Sequence, residues 1–196
     1  MDECLVRADP PTLFFKDQID EALRREQVPA DELTRYYLVD LLCRFLRPDQ
    51  RIPFIEDAGQ PLALRLGRAL ESGGLEQHVR LRNLGDFSLF MAGFFSDSFR
   101  RRVVDIDYYI SMGQYAYGFL GRREEDVFSE VFSELAGKFV PFMDVFTAVS
   151  EQSGLRTSQD VLRVYERWMR GSERAGRQLA ERGIAPNPSI GQKFLQ

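Results

Sequence analysis

The stretch GDFSLFMAGFFSDSFRRRVVDIDYY, residues 85–109, sets the expected fold of the chain. Ten uncharged residues follow Asp86, and on a helix they place bulky apolar side chains on nearly every side. A helix that is apolar all round belongs in the interior of a protein. Three arginines and three aspartates crowd the next eleven residues, before a second largely uncharged segment begins. We therefore expect two closely packed helices joined by a charged loop at 96–106.

Apolar residues recur every three or four positions along most of the chain, which is the period of an amphipathic helix. The chain has 196 residues, of which 44% are apolar and 29% charged, as in one folded globular domain. We predict an all-α protein, a single-domain multi-helix bundle of roughly seven helices at 1–183, followed by a loosely ordered C-terminal tail at 184–196. Helices are expected near 12–27, 32–46, 61–73, 75–95, 107–120, 124–150 and 157–181.

The segment 124–150 contains the most regular pattern in the chain. Its apolar residues alternate steps of four and three: Phe128, Phe132, Leu135, Phe139, Phe142, Phe146 and Val149. Pro141 lacks an amide N–H and clashes with the carbonyl of Gly137, so it should kink this helix. We interpret the segment as a kinked Phe-rich core helix. The alternative is a seam between two copies of the chain, because a 3.5-residue repeat is also the pattern of a coiled coil.

The overall charge argues against several classes of partner. The net charge is −4 and the isoelectric point is near 5.2, whereas generic nucleic-acid binding needs a basic face. No uncharged run reaches the roughly 18–20 apolar residues of a membrane-spanning helix, and no signal peptide is recognisable. We therefore expect a cytoplasmic protein that binds neither nucleic acid nor membrane.

Neither a metal nor an organic cofactor is predicted. Cys4 and Cys43 lack the CxxC or Cys/His spacing of a structural zinc site, and Cys43 is interpreted as a small core residue. His78, the single histidine, lacks the Glu-x-x-His pattern of helical di-iron sites and is interpreted as a partly exposed structural residue. The sequence also lacks glycine-rich phosphate loops such as GxGxxG.

The candidate site residues lie within the opening stretch: Asp86, Asp97, Arg100, Arg101, Arg102, Asp105, Asp107, Tyr108 and Tyr109. In a structural interpretation, Asp86 is an N-cap after Gly85, the other aspartates stand at helix starts, and the arginines pair with these carboxylates. In a functional interpretation, the arginines bind an anionic ligand by forked hydrogen bonds, Asp86 acts as an acid or base, and a tyrosine supplies an oriented hydroxyl. The sequence leaves both interpretations open and identifies no catalytic residue.

Three segments carry a resemblance to a known family: YYLVDLL at 36–42, LGDFSLFMAGFFSDSF at 84–99 and RRVVDIDYYISMGQYAYGFL at 101–120. They resemble the core of an uncharacterised bacterial all-helical protein family. The resemblance implies a bacterial and cytoplasmic origin. It implies no activity, because none is known for that family.

Two functional hypotheses follow. The first is a non-enzymatic protein-interaction or regulatory module, whose loop at 96–106 and neighbouring aromatic surface bind a protein partner or another copy of the chain. The second is a small anionic-ligand-binding protein or an enzyme that uses Asp86, Arg100–Arg102 and Tyr108. The second hypothesis requires these side chains to converge in one concave site.

Overall fold

The structure is a computed structural model that describes residues 11–46, 60–95, 106–123 and 127–152. These ranges form seven helices and no strand: α1 (Pro11–Arg25), α2 (Glu32–Leu46), α3 (Leu62–Glu71), α4 (Gly74–Phe94), α5 (Ile106–Gly121), α6 (Ser129–Gly137) and α7 (Phe139–Gln152). The predicted all-α multi-helix bundle is confirmed. No helix in the described ranges is long and apolar enough to cross a membrane. The helix predicted at 157–181, the tail at 184–196 and the charged loop up to residue 105 lie outside these ranges, so the single-domain boundary stays a prediction.

Helices α4 and α5 form the closely packed pair that the opening stretch predicts. Every residue from 84 to 95 is buried, as expected for a helix that is apolar on all sides. The two backbones approach closely where a glycine faces a side chain of the other helix. A Cβ added to Gly85 would lie 2.5 Å from the Tyr117 ring, and one added to Gly113 would lie 2.9 Å from the Cβ of Ser88. The two glycines therefore set how near these helices can lie.

The phenylalanine-rich segment forms two helices, α6 and α7, which meet at Lys138. Pro141 stands third in α7, where its missing N–H has no intrahelical partner to lose. The clash with the carbonyl of Gly137 is avoided because α6 ends at that residue. The predicted kink is thus a full break. The dimer-seam alternative is wrong for the following rings, which are each at most 1% exposed within the single chain: Phe132, Phe139, Phe142 and Phe146.

Helix α2 is buried along most of its length and packs toward α4. Leu38, Leu41 and Leu42 are fully inaccessible to solvent. The ring of Phe45 stacks on that of Phe90 in α4, with 4.4 Å between centroids. The C-terminal half of α2 therefore lies against the middle of α4.

Candidate functional site

Asp86 lies in the middle of α4, and its side chain is 0% exposed. The helix begins well upstream, at Gly74, so the interpretation of Asp86 as an N-cap is wrong. Backbone N–H groups in a helix interior bond to carbonyls of the preceding turn and are not free to satisfy a carboxylate. A carboxylate at this depth needs hydrogen-bond donors from other elements.

Three side chains from two neighbouring helices donate hydrogen bonds to Asp86. The hydroxyls of Tyr37 in α2 and Tyr117 in α5 donate to Oδ1 at 2.6 and 2.8 Å. Nη1 of Arg44 in α2 donates to Oδ2 at 2.9 Å. Arg82, one turn earlier on α4, places its Nε 3.7 Å from Oδ2. These five residues, Tyr37, Arg44, Arg82, Asp86 and Tyr117, are called the Asp86 cluster below.

The sequence spacing explains how these side chains meet. Tyr37 and Arg44 are seven residues apart, close to two helical turns, so both project from one side of α2. The absence of a side chain at Gly85 lets the ring of Tyr117 lie against the α4 backbone. That contact places the Tyr117 hydroxyl beside Asp86. The Asp86 cluster therefore joins α2, α4 and α5 at one point.

Arg44 is the main counter-charge of Asp86. Its side chain is 13% exposed, and its Nε also pairs with Asp40 at 2.8 Å, nearer the surface. The guanidinium group lies over the ring of Tyr37, 5.7 Å from the centroid. Burial by itself lowers the pKa of Arg44, but the carboxylate of Asp86 favours the charged form and the net shift is upward. Arg44 is thus a permanent cation in this cluster.

Burial raises the pKa of Tyr37 and Tyr117 well above the ordinary tyrosine value. The negative charge of Asp86 raises both further, because an ionised tyrosine would face a second anion and lose the hydrogen bond it donates. Both tyrosines are therefore neutral donors at neutral pH. Neither has the pKa near the working pH that favours a general acid or base.

The arrangement uses the hydrogen-bonding capacity of Asp86 inside the protein. Oδ1 accepts two hydroxyl bonds and Oδ2 accepts one guanidinium bond. A general acid or base must come within hydrogen-bond reach of the proton that it transfers. A substrate that exchanged a proton with Asp86 would have to lie within hydrogen-bond distance of its carboxylate. The tyrosine and arginine donors of the cluster already lie there. The geometry fits a carboxylate that stabilises the packing of α2, α4 and α5 by hydrogen bonds to side chains of two of these helices.

The other predicted site residues that the structure describes lie elsewhere on α5. The Tyr108 hydroxyl oxygen accepts the N–H of Ala63 at 2.8 Å, one of the amides that the first turn of α3 leaves without an intrahelical partner. The ring of Tyr109 lies 6.5 Å from that of Phe87. Asp107 is exposed in the first turn of α5, where a carboxylate complements the helix dipole. Five predicted residues lie outside the described ranges: Asp97, Arg100, Arg101, Arg102 and Asp105.

The structure thus gives Asp86 and Tyr108 different partners. Asp86 bonds to α2 and α5 side chains, whereas Tyr108 bonds to the backbone of α3. The two residues that the second functional hypothesis combines are therefore not joined by a hydrogen bond.

His78 and Cys43 are not members of the Asp86 cluster. His78 is half-buried on α4, with its ring 5.8 Å from that of Phe132. Cys43 is buried in α2 and forms no disulfide. In the described part of the chain, no three His, Cys, Asp or Glu side chains are grouped so as to hold a metal ion.

Sequence reasoning identified Asp86 but missed the residues that bind it. Periodicity places Tyr37 in the core and Arg44 on the polar edge of α2, and neither assignment indicates a bond to Asp86. One signal was present. An aspartate on an all-apolar helix and an arginine on a nearly apolar one are each costly to bury alone, and they compensate each other when paired.

Comparisons of the chain with protein-family models, with curated proteins and with solved structures find no match. The resemblance to a bacterial helical family accordingly stays a prediction. Since a helical fold alone does not specify a function, the residues of the site carry the functional proposal.

Proposed function

We propose that this chain is a non-enzymatic helical module that acts by binding a protein partner. The observation that carries the proposal is the burial and internal hydrogen bonding of Asp86, the residue with the strongest sequence signal for acid–base chemistry. Its two oxygens accept three hydrogen bonds from within the protein, and its side chain is fully buried. Its role is then to stabilise the bundle, and the function is assigned to the surface.

Exposed aromatic and aliphatic side chains support this assignment. The side chain of Tyr36 on α2 is 68% exposed, and that of Val127, just before α6, is 84% exposed. The ring of Phe128 is partly exposed and lies 6.5 Å from that of the buried Tyr37, so Phe128 connects the surface with the core. Aromatic residues are enriched in protein–protein interfaces.

The partner that this proposal favours presents an acidic surface. Arg100, Arg101 and Arg102 are consecutive in the sequence and follow the buried half of α4. Arginine forms forked hydrogen bonds with carboxylates, so three in a row match an acidic partner. The proposal assigns the partner contact to these three residues.

The test is affinity purification of the full chain, compared between variants by quantitative mass spectrometry. The charge reversal R100E/R101E/R102E should lose a stoichiometric partner that the wild type retains, while its circular dichroism and melting temperature stay unchanged. The control R24E/R25E reverses arginines on α1 and should retain the partner. An unchanged partner yield in the triple variant would contradict the proposal. A small-molecule adduct in the native mass spectrum, with no protein partner, would instead favour the anionic-ligand hypothesis.

A further inference from the structure

Two buried N–H donors beside Asp86 have no acceptor from the described part of the protein. Nη2 of Arg44 and Nε of Arg82 are each inaccessible to solvent and make no hydrogen bond there. The Nε of Arg82 lies 3.7 Å from Oδ2 of Asp86, which is within ion-pair range but beyond a hydrogen bond. Buried polar groups in native proteins are almost always paired, so an exception calls for an explanation.

The two donors belong to guanidinium groups that both lie beside the same carboxylate oxygen. Both Arg44 and Arg82 form their ion pair with Oδ2 of Asp86, at 2.9 and 3.7 Å. The Arg44 side chain is 13% exposed and that of Arg82 is 38% exposed. The cluster therefore comes nearest to solvent at the Arg82 side chain, and Arg44 lies deeper.

The two arginines of the site face one fully buried carboxylate and one carboxylate near the surface. Among the charged groups in ion-pair contact here, Arg44 and Arg82 contribute two positive charges and Asp86 contributes one negative charge. The fourth is Asp40, which pairs with Nε of Arg44 but is 47% exposed, so water screens its charge. Oδ1 of Asp86 accepts two tyrosine hydroxyls, which disperse its negative charge.

We propose that Arg44 and Arg82 form a binding site for a small oxyanion, a carboxylate or a phosphate group. An oxygen of this group accepts hydrogen bonds from Nη2 of Arg44 and Nε of Arg82. Guanidinium N–H groups match the oxygens of both anions, and a charge-assisted bond is stronger than one to water. The site lies within the described bundle and does not involve Arg100–Arg102, so it is independent of the proposed protein partner.

Thermal unfolding of the full chain tests this site with sodium acetate, sodium phosphate and sodium chloride at equal ionic strength. Acetate or phosphate should raise the melting temperature saturably, by about 3–6 °C at ten times the dissociation constant, whereas chloride should not. A response to acetate alone identifies a carboxylate site, and a response to phosphate alone identifies a phosphate site. Either result supports the proposal.

Arg82→Gln should abolish the saturable rise, measured from the melting temperature of the variant itself. Arg80→Gln is the matched control, because the Arg80 side chain is also 38% exposed on α4 but pairs with Glu76. If Arg82→Gln fails to fold, Arg82→Lys replaces it and should weaken the response, since lysine keeps the charge but loses the Nε–H. Equal responses to all three salts, or a full response in the Arg82 variant, would overturn the proposal.

Discussion

Asp86 is a charge buried in a helix whose neighbouring residues are apolar, and three hydrogen-bond donors hold it there. A buried ion pair is rarely more stable than apolar residues of the same volume, but removal of one partner leaves the other unpaired. Arg44 can reach Asp86 only when α2 lies in the observed register against α4. We infer that the Asp86 cluster contributes to the specificity of the fold by fixing this register.

Alkaline pH should destabilise the protein through Tyr37 and Tyr117. A tyrosine in the unfolded chain ionises near pH 10, whereas burial and the charge of Asp86 hold the pKa of both folded side chains well above that value. Above about pH 10 the folded state keeps protons that the unfolded state has lost. The stabilisation from these two tyrosines is therefore fully present below this pH. Above it, the free energy of unfolding falls as the pH rises, by about 1.4 kcal/mol per pH unit for each tyrosine.

Urea unfolding between about pH 8 and pH 11 measures this slope. Tyr117→Phe should make it shallower by about 1.4 kcal/mol per pH unit, because one of the two tyrosines is removed. Tyr36→Phe is the control and should keep the wild-type slope, since the Tyr36 side chain is 68% exposed in the folded state. Equal slopes for the wild type and Tyr117→Phe would contradict the burial of this hydroxyl against a carboxylate.

The contact between α4 and α5 depends on the glycine at position 85. Gly to Ala within a helix ordinarily stabilises by about 0.5–1 kcal/mol. At Gly85 the new Cβ would lie 2.5 Å from the Tyr117 ring, so Gly85→Ala should instead destabilise the protein by about 1–3 kcal/mol. Gly67→Ala on α3 is the control and should stabilise, because nothing lies within 4 Å of a Cβ there. Denaturant unfolding of both variants measures these changes in stability. A gain in stability for Gly85→Ala would show that the close approach of α4 and α5 at this position is not required.

Helix positions were predictable where local chemistry determines them. Helix α2 begins at Glu32, directly after Asp31, and ends at Leu46, two residues before Pro48, as a capping aspartate and a following proline predict. The break at Lys138 follows from Pro141, which no helix interior accommodates without cost. Local rules failed at Asp86, because an aspartate after a glycine has the pattern of a helix start. There the partners on α2 and α5 satisfy the carboxylate and allow the helix to continue.

Across the whole molecule, the candidate site was less predictable than the fold. The apolar period is repeated along most of the chain and predicts helices without knowledge of their packing. The partners of Asp86, in contrast, are distant in sequence: Tyr37, Arg44 and Tyr117 lie 49, 42 and 31 positions away. No local pattern relates residues at these separations. The site emerges only when α2, α4 and α5 pack together.

The central claim is that Asp86 stabilises the fold, and the free energy of unfolding of Asp86→Asn tests it most directly. Asn removes the charge that compensates the buried Arg44, so we expect a loss of about 3–5 kcal/mol. Asp40→Asn is the matched control: Asp40 pairs with the same arginine at 2.8 Å but is 47% exposed, so its loss should cost less than about 1 kcal/mol. If Asp86→Asn were as stable as the wild type or more so, as is typical when a residue is kept for activity at the expense of stability, the claim would be contradicted.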